Sequence, residues 1–106
     1  MDLDAFEAEV ERRSDAWREL GASWEFTHGP DRDNAAAWVR IDSADAAGEL
    51  IVWASGEAEM SWMRAPFPDG DSGQKHYDLA GTRQLQECLH DFERELGFRG
   101  VCPRFG

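Results

Sequence analysis

The sequence predicts an α+β fold: an antiparallel sheet of four or five strands, with an N-terminal and a C-terminal helix packed on one face. Three observations predict it. Apolar residues recur at helical spacing near both ends, they alternate with polar residues between those ends, and the connecting loops are short. Consecutive strands joined by short loops pair antiparallel, and both helical stripes need apolar cover. The 106 residues leave room for one such domain.

The first helix is predicted from Asp2 to Leu20. Its apolar stripe consists of Leu3, Phe6, Val10, Trp17 and Leu20. Asp4, followed three residues later by Glu7, resembles a capping box at the start of a helix. Gly21 stands where helices commonly end.

Two strands are predicted next, separated by a loop of turn-forming residues at positions 29–34. In the first, the alternating large residues are Trp24, Phe26 and His28. In the second, Ala36–Asp42, small and branched residues alternate with Trp38, Arg40 and Asp42. Trp38 therefore belongs to the more polar face of the second strand.

The third strand is predicted over Glu49–Ala54, the segment richest in β-formers, and is expected to be central. Ser55 and Gly56 form a turn into a fourth strand, Glu57–Arg64, which makes a hairpin with the third. A loop follows, and residues 75–79 are expected to add a short fifth strand.

The last helix is predicted from Thr82 to Leu96, with Gly97 ending it. Its stripe consists of Leu85, Cys88, Leu89, Phe92 and Leu96. Residues 1–98 are expected to form the domain and residues 99–106 a C-terminal tail, because Pro103 prevents helix continuation.

The net charge of −11 disfavours nucleic acid and anionic membranes as partners and favours a partner with a basic surface. The alternative is that the charge only keeps a small protein soluble. The apolar runs are too short to cross a bilayer, and the acidic start lacks a secretory signal, so a cytoplasmic location is expected. In that reducing compartment we expect Cys88 and Cys102 to be free thiols.

The sequence contains no pattern that anchors an enzyme, a metal site or a cofactor site. His28, His76 and His90 are far apart, and no Gly-x-Ser-x-Gly motif is present. Cys88 and His90, two residues apart on a helix, point in different directions. The segment 69–73 lacks the ligands of a calcium loop, and the cysteines lack zinc spacing.

The hairpin is the candidate binding site. Period two places Glu49 and Trp53 on one face of the third strand, and Glu57 and Glu59 on the acidic face of the fourth. An aromatic residue among charges is typical of interface hot spots, and Trp38 is a further outward candidate. The alternative is that Trp53 lies in the core and the glutamates only solvate the sheet.

The segment from Gly48 to Met60 (GELIVWASGEAEM), followed by residues 76–79 (HYDL) and a closing amphipathic helix, resembles the TriTu family of immunity proteins from bacterial polymorphic toxin systems. The resemblance implies a cytoplasmic bacterial protein that binds and silences a cognate toxin, without catalysis or cofactor. The motif positions are Trp53, Ser55, Gly56, Glu57 and Glu59. The rival hypothesis is a small regulatory or ligand-sensing α+β domain that binds a small molecule.

Overall fold

A computed structural model of the protein describes residues 1–31, 33–66 and 70–98. The predicted tail at 99–106, with Cys102, lies outside the described residues, as does Asp69. The elements follow one another as α1 (Leu3–Glu19), β1 (Ser23–His28), β2 (Ala36–Asp42), β3 (Ala46–Trp53), β4 (Glu57–Arg64), β5 (Ser72–Asp78) and α2 (Thr82–Glu95). The predicted α+β fold, with a helix at each end of an antiparallel sheet, is confirmed.

The strands form an antiparallel meander, and their spatial order is the same as their order along the chain. β3 is central, as predicted. The register places Trp38 of β2 opposite Ile51 of β3, and Ile51 opposite Glu59 of β4. At the turn from β3 to β4, Gly56 adopts φ +101°, a left-handed conformation that a β-carbon would strain.

Both helices pack on the same face of the sheet. The buried strand residues Val39, Leu50, Val52 and Met60 share a cluster with apolar residues of both helices. The helix residues of that cluster include Phe6, Val10, Trp17, Leu85, Leu89 and Phe92. Gly48 lets α2 approach closely, because a β-carbon added there would lie 2.7 Å from Phe92 and 2.9 Å from Leu96.

Two strands begin earlier than predicted, and one predicted helix cap is wrong. β3 starts at Ala46, because pairing with Trp62–Arg64 of β4 draws in three small residues of low β-propensity. β5 starts at Ser72 for the same reason. The cap of α1 is Asp2, whose side chain accepts a hydrogen bond from the backbone N–H of Asp4 at 2.9 Å. Glu7 instead pairs with His28 at 3.0 Å.

A buried polar cluster joins the two helices, and no pattern in the sequence predicted it. Glu93 of α2 is only 2% exposed, and its carboxylate accepts hydrogen bonds from Arg13 at 2.6 Å and from the Trp17 indole at 2.8 Å. Burial raises the pKa of Glu93, and these two α1 side chains oppose that rise. Gln86 donates beside them to Glu9 at 2.9 Å.

Within the described part of the chain, no helix is both long enough and apolar enough to span a lipid bilayer.

Candidate partner-binding face

The sheet has one face that carries neither of the two described helices, and we call it the open face. Strand alternation sends every second side chain to it. Its central side chains belong to four strands: Ala36, Trp38, Arg40 and Asp42 of β2, Ala47, Glu49, Ile51 and Trp53 of β3, Glu57, Glu59, Ser61 and Met63 of β4, and Ser72, Gln74, His76 and Asp78 of β5. None of these residues belongs to the buried hydrophobic core.

All five side chains that the sequence predicts to bind a partner lie on the open face. Trp38, Glu49 and Trp53 are half-buried, whereas Glu57 and Glu59 are exposed. Trp53 therefore lies outside the core, on the same face as the glutamates. That these residues contact a partner stays a prediction.

Trp38, Ile51 and Trp53 form an apolar strip along one end of the open face, which we call the aromatic ridge. Trp38 lies directly across from Ile51, and Trp53 lies across from the small residue Ala36. The Trp38 ring also lies over Gly29, where an added β-carbon would be 2.9 Å from it. The ridge offers a large apolar area next to charged groups, which suits an interface anchor.

The carboxylates beside the aromatic ridge differ in whether they have an ion-pair partner. Among the described residues, the carboxylates of Glu49 and Glu57 take part in no ion pair. Glu59, by contrast, lies 2.5 Å from His76 Nδ1, and Asp78 lies 3.2 Å from His76 Nε2. The hydrogen bond to Glu59, followed by that to Asp78, raises the pKa of His76. Glu59 thus already has a partner, whereas Glu49 and Glu57 are available.

Next to the aromatic ridge the open face sinks into a depression of about 580 Å³, which we call the hollow. Small residues line its base, namely Ala47, Gly48, Ser61, Ser72 and Gly73. Its larger lining side chains are Arg40, Glu49, Trp62, Met63 and Gln74. Sequence reasoning missed the hollow, because it arises where small residues from three strands come into register.

The charge of the open face is one-sided. Its acids are Glu25, Asp42, Glu49, Glu57, Glu59 and Asp78, and its cationic side chains are Arg40 and His76. On the helices, acids more often lie beside arginines, as in the pairs Arg18–Asp15 at 3.2 Å and Arg83–Glu87 at 3.7 Å. The open face therefore carries an excess of acidic side chains, a feature that favours a basic partner.

Two other groups of chemistry-bearing residues are explained by packing or by a surface ion pair. Cys88 is 1% exposed, and burial raises the pKa of its thiol to about 12, which disfavours the reactive thiolate. Asp4, Glu7 and His28 offer ligand atoms within 4.8 Å of one another, but Asp4 and His28 are exposed, and His28 already pairs with Glu7.

One of the comparisons with known proteins gives a match. A family model described as "Immunity protein TriTu" matches residues 4–95 of the 106. The match includes both helices, all five strands and the whole of the open face. No curated protein and no solved structure matches the chain.

Proposed function

The chain belongs to the TriTu family of immunity proteins, and we propose that it neutralises a cognate bacterial toxin by binding it with the open face. One observation carries the placement: Trp38 and Trp53 share a helix-free surface with Glu49 and Glu57, whose carboxylates have no ion-pair partner among the described residues. The family assignment favours this binding function over catalysis and over the ligand-sensing alternative.

The two kinds of side chain have different tasks in this proposal. Covering the aromatic ridge removes apolar area from water and slows dissociation of the complex. The unpaired carboxylates attract a basic toxin surface over several ångströms and speed association. A toxin that acts on nucleic acid presents such a basic surface, so an acidic inhibitor competes with its substrate. The immunity protein itself acts in the cytoplasm and uses no cofactor, nucleic acid or membrane.

The test first establishes whether a neighbouring gene encodes a toxin domain, and then measures binding kinetics with that domain, inactivated by mutation. We expect Glu49→Lys with Glu57→Lys to slow association and to flatten its dependence on salt. Trp53→Ala should speed dissociation roughly 30-fold, since a buried aromatic anchor contributes about 2 kcal/mol or more.

A matched control reverses two exposed glutamates of α1, Glu11→Lys with Glu19→Lys, which changes the net charge equally but leaves the open face intact. This variant should keep both the near-native association rate and the protection of cells from the toxin. Open-face variants that bind and protect as well as the wild-type chain would show that the interface lies elsewhere. Failure of the wild-type chain to bind the neighbouring protein would overturn the proposed function.

A further inference from the structure

The open face carries a depression. The aromatic ridge lies toward one end of the strands, and the hollow of about 580 Å³ lies toward the other. A flat partner surface resting on the ridge would leave the hollow unfilled, and well-packed interfaces leave few such gaps. The partner that covers this face therefore needs a projection.

The hollow combines three chemical features at its border. Met63 is 46% exposed, one of the most exposed large hydrophobic residues in the described chain. Arg40 and Glu49 are direct cross-strand neighbours, yet no ion pair of 4.0 Å or less joins them. Gln74 adds an amide with both a donor and an acceptor. Trp62 and Met63 make the lining part apolar, and Arg40, Glu49 and Gln74 make it part polar.

We infer that the hollow receives a tyrosine or tryptophan side chain that projects from the cognate toxin, an inference that rests on the proposed function. Such a side chain has an apolar ring that can pack against the Met63 thioether, a contact that sulfur and aromatic rings favour. Its hydroxyl or indole N–H can donate to the Glu49 carboxylate. Aromatic residues with a polar tip are also the commonest anchors of interfaces.

Other occupants fit the border less well. A lysine or arginine would meet Arg40 as well as Glu49, and an anion would meet Glu49 as well as Arg40, so either charge is attracted and repelled at short range. A purely aliphatic side chain would leave Glu49, Arg40 and Gln74 without polar partners in a closed interface. A second copy of this chain would bring two acidic open faces together.

The first experiment fills the hollow. Ala47→Phe places a ring at its base, and Ser23→Phe places the same ring on the open face but outside the hollow. With the inactivated toxin domain of the neighbouring gene, we expect Ala47→Phe to weaken binding about tenfold or more, and Ser23→Phe to change it less than about threefold. Met63→Ala removes a side chain that lines the hollow and should also weaken binding. It tests the same inference even if the added ring of Ala47→Phe disturbs the fold.

The outcomes separate the two proposals. If Ala47→Phe and Met63→Ala bind as the wild type while Trp53→Ala and the Glu49/Glu57 reversal bind weakly, the hollow is unused and this inference fails, although the proposed function stands. If all four variants bind as the wild type, both proposals fail.

The second experiment identifies the occupant. Each tyrosine and tryptophan of the toxin domain is changed to alanine and combined with Met63→Ala in a double-mutant cycle. One of them should show a non-additive effect on the dissociation constant of roughly threefold or more. If the only residue coupled to Met63 is a lysine, an arginine or an aliphatic residue, or if none is coupled, the inference is overturned.

Discussion

His76 lies between two carboxylates on the open face, and this arrangement makes a prediction about pH. The hydrogen bonds to Glu59 and Asp78 raise its pKa above the ordinary value of 6.5. A group whose pKa is higher in the folded than in the unfolded state binds protons more tightly when folded. Its contribution to stability is therefore fully present below the unfolded pKa and is lost as the pH rises through the folded pKa.

We expect the wild-type chain to gain stability over His76→Gln below pH 6.5, and to lose that gain as the pH rises through the elevated pKa of His76. Urea unfolding of both proteins over a pH series measures the difference. An NMR titration of the His76 ring should give a pKa above 6.5 that Glu59→Gln lowers. Asp42→Asn, on the same face, serves as the control and should leave that pKa in place. A ring that titrates at or below 6.5 would contradict the prediction.

Single residues differ in how well their roles follow from the sequence. Alternation alone correctly put Glu57 and Glu59 on an outward face, since period two depends only on the chain itself. It left Trp53 ambiguous, because a lone strand does not reveal which face the helices cover. The His76–Glu59 contact depends on register across β4 and β5, and the Arg13–Glu93 pair joins residues 80 positions apart. Local sequence patterns therefore predict neither of these two contacts.

At the scale of the element, α2 begins without a side-chain cap. Its N-cap is Gly81, which makes no capping hydrogen bond, and its first turn contains no acidic residue. A β-carbon added at Gly81 would have Gln84 Oε1 at 3.8 Å as its nearest neighbour, an ordinary contact. Gly81→Ser should therefore supply a hydroxyl that accepts a hydrogen bond from the first turn, and should raise the free energy of unfolding by about 0.3 kcal/mol over Gly and by about 0.5 kcal/mol or more over Ala.

Gly81→Ala is the matched control, because it adds the same β-carbon without an acceptor. Chemical denaturation of the three proteins measures the effect, and Ser should exceed both Gly and Ala. Equal stability of the Ser and Ala variants would mean that the first turn of α2 gains nothing from a cap.

The bounds of a helix or strand are predicted correctly where a clear apolar pattern marks them. β2 and the start of α2 match their predicted positions, because alternation and a five-residue apolar stripe mark them clearly. β3 and β5 extend beyond prediction at ends made of Ala, Gly, Ser and one Gln, residues with little β-propensity that become strand only through pairing with β4. The same small residues form the hollow, so the missed strand ends and the missed surface feature share one cause.

At the scale of the whole molecule, the contact between Arg13, Trp17 and Glu93 ties the first element to the last. Glu93→Ala would leave Arg13 without its nearest partner and the buried Trp17 indole without an acceptor. We expect a loss of about 3 kcal/mol in the free energy of unfolding. Glu93→Gln should lose less, because its amide oxygen can still accept from Trp17.

Urea unfolding monitored by tryptophan fluorescence measures both variants. Arg18→Ala removes an arginine whose ion pair with Asp15 is exposed, and should change stability by less than about 0.5 kcal/mol. If Glu93→Ala were as mild as Arg18→Ala, the buried cluster would not hold the helices together.

The alternation of the strands has a consequence for evolution. Positions 38, 49, 53, 57 and 63 face away from the helices, while each of their chain neighbours within the strands faces toward them. If the open face binds the toxin as proposed, mutation at the former positions would alter recognition without opening cavities beneath, and lineages could drift toward new toxins while the fold persists. A gene duplicate would begin to diverge in specificity on alternate codons of β2, β3 and β4. Selection on partner choice would thus act on one set of codons, and selection on folding would act on the codons that alternate with them in the same stretch of DNA.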